Sequence, residues 1–358
     1  MAIKADDLCF RDLTEDDRQT WGELQASDPD LASPYFSFGY VAAADVARPG
    51  VRVLRFSEAG APIAYWPFRP GPLGTARPVG GPMDDLHGIV AAPDTVLDLT
   101  GADVTRAVGG YSFSAVPSSQ RRHGIIGQVG SGNQVMDLSS GYQAWLDERA
   151  GDSSNFRREQ RKVEKLLDAP DTIVTHDIDD PAIMKRLFEQ KSEAYRQSGH
   201  FDLFAIDWPA KLLTELLERR DETARGILST LSIGGKVAAI SYCMRSRDVM
   251  HYWFPAYEEA FAKQKPGLAL LFSLAMWGAD NGIRELHLGL GETRYKRQMA
   301  TWMAPVRCGT LALSPAQKLA TRCTELSFKV EGTHKLLDVP AKYARKYERA
   351  VLTGTWRA

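Results

Sequence analysis

One stretch limits the fold of this chain more than any other. It reads YWFPAYEEAFAKQKPGLALLFSLAMWGADNGIRELHLGLGETRYKRQM and runs from Tyr252 to Met299. Aromatic and β-favouring residues open it, and an apolar segment at helical spacing, Leu268–Gly278, follows a short polar loop. Asn281-Gly282 stops that helix, and Ile283–Leu288 alternates as a strand. Pro266 and Gly267 stand where the helix begins. Proline lacks the N–H that would be orphaned there, and glycine lets a bound group approach the backbone. A helix start of this kind offers free N–H groups and a positive dipole end to an anion, so a diphosphate is the expected guest.

The 358 residues favour two domains, since single cores rarely grow past about 250–300 residues. A formal net charge of −1 argues against a nucleic-acid partner, which would leave a basic imprint. Cys9, Cys243, Cys308 and Cys323 are scattered without a C-x-x-C pair, which suits free thiols and supports neither a zinc site nor a disulfide framework. No run of about 18 apolar residues occurs and the N-terminus lacks a signal-peptide core, so a cytoplasmic protein without a membrane span is expected.

Along the chain, Thr14–Gln25 reads as a capped helix and Phe38–Ala47 as another. Val51–Phe56 and Pro62–Phe68 read as a hairpin. The Pro- and Gly-rich stretch 69–85 is turn chemistry, and 98–108 and 142–149 give weaker signals of secondary structure. Phe156–Leu167 is a basic helix carrying Arg157, Arg158, Arg161, Lys162 and Lys165; it is either a solvated face or a phosphate contact. Two amphipathic helices, 181–196 and 208–219, precede a second hairpin, Arg225–Ile233 and Lys236–Arg245, and then the strand Val249–Phe254. This order repeats the first half and suggests a distant internal duplication. Beyond a strand at Arg307–Leu313, helix signals at Pro315–Val330 and Pro340–Val351 form a tail. Its basic and aromatic residues Lys342, Tyr343, Arg345, Lys346, Tyr347 and Arg349 suit a solvated face or an anion site.

Gln264-x-x-Gly267-x-Ala269 matches the pyrophosphate-loop pattern [Q/R]-x-x-G-x-[G/A] of the GNAT acetyltransferase superfamily. Tyr252-Trp253, Lys265-Pro266-Gly267, Leu270-Leu271, Gly289-x-Gly291-Glu292 and Tyr295-Lys296 together resemble the GNAT-like proteins of the cellulose-biosynthesis CelD/BcsL type, themselves similar to FemAB-type transferases. The similarity extends back through Asn155-Phe156-Arg157-Arg158 to Trp21 and Ser33-Pro34-Tyr35-Phe36. One departure is His287, where the family has an Asp in a D-x-G-x-G turn.

The resemblance implies an α/β (α+β) fold of two tandem GNAT-like domains, each a mixed twisted sheet flanked by helices. Its boundaries fall at 1–150 for a degenerate N-terminal copy, 151–314 for the copy that binds acyl-CoA, and 315–358 for a helical basic tail. It implies an acyl-CoA-dependent N-acyltransferase with acetyl-CoA as donor and an amino sugar or glycan precursor as acceptor, serving exopolysaccharide biosynthesis at the periphery of a membrane polysaccharide machine. Tyr252, Trp253, Gln264, Lys265, Gly267, Leu268 and Ala269 are the expected cofactor contacts. A splayed strand, here Val249–Phe254, is expected to offer a backbone N–H to the thioester oxygen.

Candidates for proton transfer are Glu258, Glu259, His251 and Glu292, with Tyr295 expected to protonate the leaving thiolate and Lys296 to orient substrate. Each of Glu258 and Glu259 also reads as a solvated loop charge, and His251 as a core histidine. No metal site is expected. Two other functions stay open. One is a regulatory protein of polysaccharide production that binds a cyclic dinucleotide at the basic tail, and the other is FemAB-type aminoacyl transfer from tRNA, which the near-neutral charge disfavours.

Overall fold

The computed structural model describes residues 3–319, except 72, 73, 220 and 316. The helix expected at Pro315–Val330, most of the tail, and the anion site expected within 340–351 lie outside the described residues. The chain divides into two compact units that exchange segments along the sequence. Of the described residues, one unit holds 3–28, 50–130 and 307–319; the other holds 29–49 and 131–306. Linear boundaries at 150 and 314 do not capture this exchange, because 29–49 and 131–150 belong with the second unit.

The first unit is built on a mixed sheet of β1 (Lys4–Cys9), β2 (Arg52–Glu58), β3 (Ala61–Pro70), β4 (Thr75–Arg77), β5 (Val90–Ala91), β6 (Gly110–Pro117), β7 (Gln128–Val129) and β15 (Val306–Ala312). Its order is β1-β2-β3-β4-β6-β15-β7, with β5 on β3. Helix α1 (Glu15–Ser27) starts at a capping box in which Thr14 accepts from the Asp17 amide. Trp21 from α1 is fully buried and stacks on Tyr65. The short helix α3 (Ala102–Ala107) completes this unit.

The second unit carries β8 (Asn133–Asp137), β9 (Thr172–Thr175), β10 (Arg225–Ile233), β11 (Lys236–Arg245), β12 (Val249–Tyr257), β13 (Glu285–Leu290) and β14 (Trp302–Ala304) in the order β14-β8-β13-β12-β11-β10-β9. Its helices are α2 (Phe38–Ala47), α4 (Tyr142–Asp152), α5 (Ser154–Leu167), α6 (Pro181–Gln197), α7 (Asp207–Glu218), α8 (Pro266–Asp280) and α9 (Arg294–Met299). Helix α8 is apolar on nearly all sides and buries Ala269, Leu270, Leu271, Phe272, Leu274 and Ala275. Phe272 meets Trp145 of α4 edge-on and stacks on Phe156 of α5, which docks both helices on α8. Helix α5 buries Phe156, Glu159 and Val163, a spacing of three and four that marks one face. Two of those positions are apolar, and the third is a carboxylate.

The architecture is that of two GNAT-like units, each a mixed sheet flanked by helices, and the two copies share local detail. In each, a strand and helix lead to an antiparallel hairpin on a two-residue turn, with Glu58 opposite Ala61 and Ile233 opposite Lys236. Both turn residues have positive φ in each copy: Ala59 and Gly60 in one, Gly234 and Gly235 in the other. Three residues past the turn, the returning strand has one unpaired extra residue, Ile63 in one copy and Ala238 in the other. The coincidence of turn and bulge supports the duplication expected from the sequence.

Candidate active site

Strand β12 contains the feature on which the site depends. It pairs in parallel with β13 only at Val249–Glu285, Met250–Leu286 and His251–His287. Beyond those pairs the two strands separate. On its other side β12 stays paired with β11, but Tyr242 faces Phe254 while Cys243 faces Tyr252, so Trp253 is a bulge. The bulge changes the alternation. Tyr252, Pro255 and Tyr257 line a cavity of about 710 Å³, while Trp253 turns into a cluster with Tyr35, Tyr40 and His251.

The start of α8 forms the next part of the cavity. Lys265 adopts a left-handed conformation at φ 57°, which turns the chain sharply into Pro266 at the first helical position. No side chain caps this end. The amides of Leu268 and Ala269 bond back to the Lys265 carbonyl, and the Gly267 amide has no hydrogen-bond partner among the described residues. A Cβ added at Gly267 would meet only the Tyr257 ring at 3.7 Å, so the space in front of this glycine is open to a ligand.

Helix α5 supplies a wall through Asn155, Arg158, Glu159 and Lys162, and α9 supplies Arg294, Tyr295 and Gln298. Glu159 accepts a hydrogen bond from Lys265 Nζ, with Lys162 Nζ at 3.6 Å and Arg158 Nε at 3.9 Å. The bond from Lys265 holds the Glu159 carboxyl below its ordinary range despite its burial. Tyr295 is raised above its ordinary value by burial, so its phenol stays protonated at neutral pH. Tyr252 is raised further, also by burial.

Four of the expected cofactor contacts line the cavity: Tyr252, Lys265, Gly267 and Leu268. Three do not. Trp253 points away from Tyr252 into the cluster with Tyr35, Tyr40 and His251, Ala269 is fully buried on the inner face of α8, and Gln264 ends the turn outside the lining. Of the expected catalytic residues, only Tyr295 lines the cavity. Glu258 accepts from Arg186 Nη2 and Gln190 Nε2, each at 2.6 Å, and the Arg186 bond lowers its pKa. Glu292 is outside the lining and lies 4.0 Å from Arg297, while Lys296 donates to the Leu290 carbonyl at 2.7 Å. His251 is buried against Tyr35. His287, the departure from the family pattern, bonds Asn133 through Nδ1 and Glu285 through Nε2, each at 2.9 Å. The wall from α5 was open in the sequence between a solvated face and a phosphate contact; its 155, 158, 159, 162 spacing is the signal that assigns one face to the cavity.

No group of three or more His, Cys, Asp or Glu among the described residues could hold a metal ion, and no described helix is long and apolar enough to cross a membrane.

Residues 153–297 match the family model described as an acetyltransferase (GNAT) domain. No curated protein matches the sequence. Among solved structures, FemX superposes with a TM-score of 0.58 at 10% identity, covering 88% of this chain and 99% of that one. The C-terminal domain of a putative lysylphosphatidylglycerol synthetase from Agrobacterium fabrum gives 0.51 at 14% identity, covering 86% and 95%. A conserved protein of unknown function from Bacteroides thetaiotaomicron gives 0.51 at 10%, covering 84% and 98%. At these identities the likeness is one of fold. The parted strands, the uncapped helix start and the matched sequence meet in one stretch, and residues 153–297 are a GNAT-type N-acyltransferase domain.

Proposed function

We propose that the chain transfers an acyl group, and specifically acetyl, from coenzyme A to the amine of an amino sugar or other glycan precursor, as in the CelD/BcsL-type proteins that its motifs resemble. The observation that carries the donor assignment is the Gly267 amide, unpartnered among the described residues, at the mouth of a cavity of about 710 Å³. That volume lies within the range of roughly 300–1,000 Å³ usual for small-molecule sites. The donor's diphosphate fits the turn at Lys265–Gly267, where an N–H group, the helix dipole and cationic side chains converge. Its pantetheine arm fits the wedge between β12 and β13, whose separated edges leave strand backbone free to bond an extended amide chain.

Bound there, the donor supplies an activated thioester. The parted edge of β12 offers backbone N–H groups toward the carbonyl oxygen that gains charge during attack. Tyr295 donates a hydrogen bond to the departing sulphur. A phenol is already a weaker acid than a thiol of ordinary pKa about 8.5 and burial weakens it further, so it stabilises the thiolate without giving up its proton. The sulphur is protonated by the proton that the attacking amine loses. The carboxylate in the lining, Glu159, is held anionic by Lys265, and Glu258, outside the lining, is tied to Arg186. The acceptor amine therefore enters neutral or loses its proton through water.

Titrating the full chain with acetyl-CoA and with longer-chain acyl-CoA thioesters tests the donor, and turnover on a panel of amino sugars tests the acceptor. Heat from acetyl-CoA together with amine-dependent release of free thiol is the expected result. Absence of both rules the reading out. The cyclic-dinucleotide alternative rests on the stretch 340–351, outside the described residues, and no described feature favours it.

A further inference from the structure

The cationic edge of α5 exceeds what a single diphosphate requires. Arg158 and Lys162 are four residues apart on one helical face, and their side chains are 65% and 56% exposed. Both lie within 4 Å of one carboxylate, Glu159, whose own side chain is only 8% exposed and whose primary partner is Lys265. Three cations thus share one buried anion, which leaves an uncompensated double positive charge on the cavity wall. Most of that surplus is outside the turn at Gly267, on side chains that can reorient toward solvent. Arg158 has a second tether, donating to Asn155 Oδ1 at 2.7 Å, which keeps its guanidinium along the α5 edge. The buried carboxylate gathers the two side chains without neutralising them, and leaves both free to pair with a dianion.

We propose that Arg158 and Lys162, gathered by Glu159, form a second phosphate subsite that takes the 3′-phosphate of the acyl-CoA donor. This inference rests on the donor assignment above and deepens it. The Lys265 side chain links the two subsites. Its backbone makes the turn that presents the Gly267 amide, and its ammonium reaches across to Glu159 at the centre of the α5 group. A ligand with two phosphate groups separated by one ribose fits the arrangement, and one with the diphosphate alone uses half of it. The site therefore distinguishes coenzyme A from 3′-dephospho-coenzyme A. Glu159 is a positioning residue here, because it acts through the cations around it.

Calorimetry on the full chain with coenzyme A and with 3′-dephospho-coenzyme A tests this. Wild type is expected to bind coenzyme A about tenfold more tightly, the scale of charge-assisted pairing at exposed side chains. The double variant R158Q/K162Q, changed at two surface positions, is expected to bind the two ligands equally. Glu159→Gln, with the carboxylate gone but the shape kept, should narrow the difference less than the double variant does. Equal binding of both ligands by wild type overturns the subsite, as does full discrimination in R158Q/K162Q, while the donor assignment stands in either case. Binding of neither ligand by wild type overturns the donor assignment and the subsite with it.

Discussion

At the scale of single residues, environment separates the polar side chains around the cavity into distinct roles. Tyr295 is the hydroxyl placed to bond the departing sulphur, so Tyr295→Phe should lower kcat with little change in KM for the donor. A hydrogen bond to a charged group contributes about 1.5–3 kcal/mol, which corresponds to a loss of about 10- to 100-fold in a single-turnover assay. Glu258 is already committed to Arg186 and Gln190. Glu258→Gln should leave the rate within about threefold of wild type, and a larger loss of kcat would restore Glu258 as the base. With no poised base in the wall, log kcat/KM should rise with pH up to the acceptor amine's own pKa; a bell whose acidic limb disappears in Glu292→Gln would contradict this.

Histidines add a separate dependence on pH. Burial lowers His176 from 6.5 to about 4, and its nitrogens bond Ser229 and Ser273 at 3.0 Å. His123 is likewise lowered by burial to about 4 and His87 to about 3. Each binds its proton more readily in the unfolded chain, so stability is complete above 6.5 and is lost as pH falls toward 4. The urea midpoint should therefore fall between pH 7 and pH 5, and His176→Asn should weaken that dependence.

At the scale of elements, the sequence shows what a helix start requires but not which way a bulged strand faces. Pro266, Gly267 and the apolar run after them predict α8 and its exposed amide, because proline and chain-end physics act locally. Trp253 and Ala269 come to the site through the family resemblance and its loop pattern, and Glu258 through its place between strand and loop. Their true directions depend on which face β12 turns to the cavity, on the inner face of α8 and on a cation from α6, which are matters of tertiary register. Gly267 can be changed without touching the core. Gly267→Ala should fold and retain most donor binding, since its methyl meets only the Tyr257 ring. Gly267→Glu should fold with an unchanged thermal midpoint while placing a carboxylate against the incoming diphosphate.

At the scale of the whole molecule, the exchange of segments between units decides what can fold alone. The order of elements shows two copies of one plan, and the hairpins agree down to turn and bulge. What the sequence does not show is that β8, drawn from 133–137, lies between β13 and β14 in the second sheet. Long-range strand pairing leaves no local signature, because its register is fixed by a partner more than a hundred residues away. A fragment of residues 151–314, cut at the linear boundary, lacks β8 and the fully buried Trp145. It should show no cooperative unfolding transition by circular dichroism, whereas the full chain should. The most direct test of the account remains calorimetric titration of the full chain and of Gly267→Glu with acetyl-CoA. The account predicts saturable heat for wild type and at least a hundredfold weaker binding, about 2.7 kcal/mol, for the variant. No heat with wild type, or equal affinity in a folded Gly267→Glu, would contradict it.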